Sequence, residues 1–90
     1  MKLKYQFVLT DLGDEVDAVP VGEGASRFRG MLRLNKSSAE IFEMLTEETE
    51  PQKIHDELCR RYPDEDRDEI GKKLEVFLNT LIKEGVLTAL

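Results

Sequence analysis

Ninety residues fit one small domain with one modest core, so a single domain over 1–90 is expected. Thirteen basic residues stand against nineteen acidic ones, net −6, and such a surface repels a phosphate backbone unless its cations cluster. Forty per cent apolar residues with 36% mixed charge exclude extended disorder, and the single cysteine, Cys59, excludes an intramolecular disulfide.

The first element is a strand. Leu3, Tyr5, Phe7 and Leu9 alternate with Lys2, Lys4, Gln6 and Thr10, the pattern of a half-buried strand over 2–10. Asp11-Leu12-Gly13-Asp14 is turn chemistry, and Glu15 to Val21 alternates again, which predicts an antiparallel hairpin. Pro20 lacks a ladder donor, so it should end the second strand or sit at a bulge. Residues 22–26, Gly-Glu-Gly-Ala-Ser, read as a flexible loop. A third strand follows from about Phe28 to Leu34, with Phe28, Leu32 and Leu34 on one face.

The remainder is helical. Asn35 or Ser37 caps the first helix, and Ser37 with Glu40 has capping-box spacing. Ile41, Phe42 and Leu45 face the core. Thr49 and Gln52 flank Pro51 at the start of the second helix, whose apolar side carries Ile54, Leu58 and Tyr62; Pro63 stops it. Asp66 with Glu69 opens the third helix, with a stripe of Ile70, Leu74, Phe77, Leu78 and Leu81 ending at Gly85. Val86-Leu87 fold back on the body. The order, three strands then three helices, predicts an α+β, winged-helix-like fold: a three-stranded antiparallel N-terminal sheet followed by a three-helix bundle.

Few residues offer chemistry. His55 and Cys59 share a helical side, but two ligands do not make a zinc site, and a surface histidine beside a partly buried thiol accounts for them. The sole histidine has no nucleophile pattern near it. The carboxylates of 64–69 suit a helix N-terminus, where the dipole favours negative charge. Gly22-Glu23-Gly24 is no phosphate cradle. No catalytic set, metal or cofactor is expected. A winged-helix DNA-binding regulator is the rival by fold, but residues 64–84 hold seven acids against four bases, a poor match for a phosphate-lined groove. A generic protein–protein adaptor is the other alternative. No apolar run reaches the roughly 18 residues of a membrane span, and the N-terminus lacks a signal-peptide core, so the cytoplasm is the default location.

The third strand is an edge in any meander. It carries no proline and no charge but Arg29 and Arg33, so its outer row of amides and carbonyls is not blunted. An open edge can take up a peptide as an added strand; cover by another element, or an edge-strand dimer, would also satisfy it.

The ordered set Gly30-Met31-Leu32-Arg33-Leu34-Asn35-Lys36-Ser37-Ser38-Ala39-Glu40-Ile41, then Leu45, Thr49, Ile54, Leu58, Tyr62, Phe77, Leu81 and Gly85-Val86-Leu87 resembles the PqqD family. These proteins are also known as recognition elements for ribosomally made, post-translationally modified peptides. The resemblance covers roughly residues 5 to 88. It implies a non-catalytic peptide chaperone without cofactor that binds the leader of a precursor peptide. The leader adds antiparallel to strand three, lies beside helix three, and is presented to a modifying enzyme, often a radical S-adenosylmethionine enzyme. Carried over by position, the peptide-binding residues are Phe28, Met31, Leu32, Arg33 and Leu34 on the strand, and on the helix Lys73, Val76 and Thr80 of one flank with Phe77 of the stripe. The opposite flank, Gly71, Leu78 and Ile82, is the less favoured wall. Arg27, Arg29 and Arg33 would form a basic cluster that steers an acidic leader.

Overall fold

A computed structural model describes residues 1–27 and 30–88. Phe28 and Arg29, both given roles above, lie outside the described residues. The elements are β1 (Gln6–Asp11), β2 (Glu15–Val21), α1 (Glu23–Arg27), β3 (Leu32–Asn35), α2 (Lys36–Met44), α3 (Pro51–Arg61) and α4 (Arg67–Lys83). The sheet has the order β1-β2-β3 with both pairs antiparallel. This is the α+β, winged-helix-like arrangement expected, with one helix more.

The added helix is α1, where a flexible loop was expected. Five residues are too few to carry a helical period. What holds α1 is close packing: a Cβ on buried Gly24 would stand 2.8 Å from Tyr5 Cβ and 3.5 Å from Pro20 Cβ. β3 is correspondingly short, starting at Leu32 and running one residue past Leu34. β1 also starts later than the alternation implied. Leu3 instead forms an isolated antiparallel bridge with Leu87, and the amides of Leu3 and Lys4 donate to Leu45 and Val86.

Pro20 lies inside β2, opposite Phe7, without a bulge. The register explains why. The Leu12 amide donates to the Glu15 carbonyl, so Glu15 and its alternates, Asp17, Val19 and Val21, turn their backbone polar groups toward β1. Pro20, like Val16 and Ala18, faces the β3 side. The β3 ladder stops at Ala18, so no partner there lacks the missing N–H.

The helix starts differ in detail. Asn35 caps α2, its side chain accepting from the Ser38 amide at 2.8 Å. Ser37 donates to Asn35 instead of closing a box with Glu40. Glu50, not Thr49, is the N-cap of α3, without a side-chain bond; Gln52 reaches forward to Asp56. Pro51 sits in the first turn and α3 ends before Pro63, both as the sequence indicated. Asp66 caps α4 through the Asp68 amide, and Gly85 takes a positive φ of 79° just past its end.

One apolar core joins the layers. Phe42, Leu45, Ile54, Leu81, Val86 and Leu87 are fully buried. Phe7 from the sheet meets Phe42 edge-to-face with ring centroids 5.0 Å apart. Val16, Ala18 and Leu34 close the sheet side. No helix is long and apolar enough to cross a membrane among the described residues.

Candidate functional site

The same parity that accommodates Pro20 fixes the outer edge of β3. Val16 pairs with Leu34 and Ala18 with Leu32. Val16 and Ala18 turn their amides and carbonyls toward β3, so these are the hydrogen-bonded pairs, and Leu32 and Leu34 spend their backbone groups on β2. Arg33 and Asn35 therefore present their amides outward. Among the described residues no other segment makes a backbone bond to this edge. The strand is central to the site because its outward row is a template for another chain.

β3 runs at Asn35 into a groove of about 840 Å³. One wall is the α4 flank of Lys73, Val76, Phe77 and Thr80; Ile41 and Tyr62 are among the other lining residues. Lys73, Val76 and Thr80, the flank favoured from the sequence, line this groove together with Phe77 of the apolar stripe. The other flank is not solid surface either. Gly71, Leu78 and Ile82 line a second, smaller groove of about 420 Å³ that lies against Pro51 and His55 and does not reach β3. Met31, Leu32, Arg33 and Leu34 do not line the larger groove; Leu32 to Leu34 stand on the strand that enters it, and Met31 directly precedes that strand.

The side chains differ in how available they are. Leu34 is buried, Leu32 and Phe77 are half-buried against the core, and Val76 is 66% exposed. Thr80 donates its hydroxyl to the Val76 carbonyl. Lys73 has no carboxylate within ion-pair distance among the described residues, whereas Lys72 lies 3.6 Å from Glu69 and Lys36 binds both oxygens of Asp11 at 2.7 Å. The Lys36 ammonium, helped by the Gly13 amide, holds the Asp11 carboxyl below its ordinary value.

Of the expected basic cluster of Arg27, Arg29 and Arg33, one member is already paired. Arg33 is engaged within the sheet, its Nε 3.0 Å from Asp17 Oδ1 and 3.2 Å from Glu15 Oε2. The bond to Asp17 raises the Arg33 pKa further. Asp17 is the one buried charged residue among those described, and Arg33 is its counter-ion. Arg27 ends α1, and Arg29 is outside the described residues.

Sequence reasoning missed Tyr62 as a groove residue. Its hydroxyl donates to Glu40 Oε2 at 2.6 Å, a contact across 22 positions that no local pattern shows. His55 Nε2 donates to the Arg67 carbonyl, 2.8 Å away, and Cys59 is buried. No group of three His, Cys, Asp or Glu that could hold a metal occurs among the described residues.

The family model for PqqD, described as Coenzyme PQQ synthesis protein D, matches residues 8–87. The chain belongs to the PqqD family. Among solved structures, this PqqD-family chain is similar to TbiB1, determined in complex with the TbiA(beta) leader peptide. The two are 26% identical with a TM-score of 0.74, and the match covers 100% of this chain and 98% of the other. No curated protein matches.

Proposed function

We propose that this PqqD-family chain is a non-catalytic peptide chaperone. Residues 1–90 act as one recognition domain. It takes the leader of a ribosomally synthesised precursor as an added strand on β3, beside α4, and presents the precursor to a modifying enzyme, a radical S-adenosylmethionine enzyme being the family's common partner. The binding needs no cofactor, metal, nucleic acid or membrane, and the setting is the cytoplasm. The chain is a monomer or an edge-strand dimer, and a dimer would occupy the same amides as the leader.

The observation that carries this reading is the outward backbone row of β3 running into an open groove. Main-chain bonds along such an edge give affinity, and pockets for alternate side chains give specificity. Membership of the PqqD family and likeness to a protein solved with a leader peptide support it. Backbone groups at Met31, Arg33 and Asn35 supply the ladder, Leu32 and Leu34 underlie it, and Lys73, Val76, Phe77 and Thr80 meet the peptide from α4.

An NMR titration tests the proposal. Labelled protein is titrated with synthetic leader peptides encoded by short reading frames beside its gene. Shifts confined to residues 31–38 and the 73–80 flank are expected. Shifts centred on the Gly71–Ile82 groove, or none with any of these peptides, would overturn it.

A further inference from the structure

The solvent face of the sheet carries its own apolar row. Val8 and Val19 are directly opposite each other on β1 and β2, 53% and 39% exposed. The β2–β3 ladder ends at the Ala18–Leu32 pair, and Met31 and Val19 are the residues that flank this last pair on the two chains; Met31 is 48% exposed. Single exposed apolar residues are ordinary. Val8 and Val19 pair across β1 and β2, and Met31 stands just before β3, at the sheet's open edge. The next row is different. Thr10, Asp17 and Arg33 lie side by side, with Glu15 also on the Arg33 guanidinium. That patch holds two carboxylates and one cation.

A strand laid on β3 extends both rows. Its residues opposite Leu32 and Leu34 point to the groove side, and its residues opposite Met31 and Arg33 point to the solvent face. We infer that the outer face of the sheet is a second reading surface for the added strand, taking an apolar residue beside Met31 and disfavouring a carboxylate beside Arg33. The inference rests on the strand-addition reading above. The apolar residue is selected because Met31 otherwise ends in water at the edge. The carboxylate is disfavoured because it would be a third negative group around one guanidinium that Asp17, nearly buried, already requires. The groove would thus read one set of alternate leader residues and the sheet face the other.

The test uses the full chain and a fluorescently labelled leader peptide from the titration above. Contacts between the Met31 methyl and the peptide identify the leader residue beside Met31, and the residue two positions away is the one beside Arg33. Anisotropy then measures affinity for peptides changed at each position. Replacing the residue beside Met31 by Ser is expected to weaken binding about two- to fivefold, the size of one cross-strand pair. Met31→Ser in the protein should do the same, and the site is exposed enough to leave folding intact. Glu placed beside Arg33 should weaken binding more than Gln there. Unchanged affinity in these variants, with binding still lost in Val76→Asp, would overturn the inference and leave the groove reading standing. Failure of the unaltered protein to bind any leader would overturn the strand-addition reading itself.

Discussion

The phenol of Tyr62 donates a 2.6 Å hydrogen bond to Glu40, tying the end of α3 to α2 beneath the groove. The bond raises the Tyr62 pKa above its ordinary 10, with burial adding to the shift. Because the folded value lies above the unfolded one, this contribution to stability is complete below about pH 10 and is lost as the pH rises through the raised value. Tyr62→Phe is expected to cost about 1 kcal/mol near neutral pH. On a domain this size that lowers Tm by roughly 4–8 °C. Thermal melts at pH 7 and pH 11 check it: the gap between wild type and variant should shrink at the higher pH.

Glu57 behaves in the opposite sense. Hydrogen bonds from Arg60 and then Arg61 hold its carboxyl down to about 2, against an ordinary 4.5. Its folded value is depressed, so its contribution is present above pH 4.5 and lost as the pH falls toward 2. The Glu57 carboxyl carbon should titrate near 2 by NMR. Arg60→Gln should move that midpoint upward but, with Arg61 still in place, leave it below 4.5. A midpoint at 4.5 in the wild type would show that the pair is open in solution.

Much of this architecture is legible in the residues. The alternation of 6–10 and 15–21, the turn at Gly13, the stripe on α4 and the stop at Gly85 are local signals, each set by a period or a backbone requirement. The flank of α4 that lines the larger groove was also readable, because 100° per residue separates Val76 from the Ile70–Leu81 stripe. What was not legible depends on contacts distant in sequence. Gly24 looks like loop glycine until Tyr5 and Pro20 close on it. Arg33 looks like a free cation until the register sets Asp17 opposite. Glu40 looks like half of a capping box until Tyr62 claims it.

Two glycines should respond oppositely to alanine. At Gly24 a Cβ would lie 2.8 Å from Tyr5 Cβ, a backbone-anchored atom that cannot swing away. Gly24→Ala should destabilise by about 1–3 kcal/mol as overpacking. At Gly71, inside α4, the nearest atom to a new Cβ is His55 Nε2 at 3.5 Å, an ordinary contact. Gly71→Ala should therefore stabilise by about 0.5–1 kcal/mol through helix propensity. Urea midpoints on the two variants check both signs at once.

Phe42 is wholly buried and rests on Phe7, joining sheet to helices. Phe42→Ala should cost roughly 3–5 kcal/mol through lost burial and the cavity left behind. A ninety-residue domain has only about 5–13 kcal/mol in hand at 0.05–0.15 kcal/mol per residue. The variant should show a sharply lower urea midpoint with an unchanged slope, because the surface exposed on unfolding hardly differs.

The parity of β3 makes the sharpest prediction about the edge. Leu32 and Leu34 turn their amides to β2, and Arg33 and Asn35 turn theirs outward, by the register that the Leu12–Glu15 bond fixes. In the free protein hydrogen exchange should therefore be slow at Leu32 and Leu34 and fast at Arg33 and Asn35. Addition of a leader strand should slow Arg33 and Asn35 selectively, since only their amides gain partners, while Leu32 and Leu34 change little. Equal exchange at all four residues in the free protein would mean that the β2–β3 ladder opens locally. Slow exchange at Arg33 without peptide would mean that a second copy already occupies the edge, and the protection should then fade on dilution.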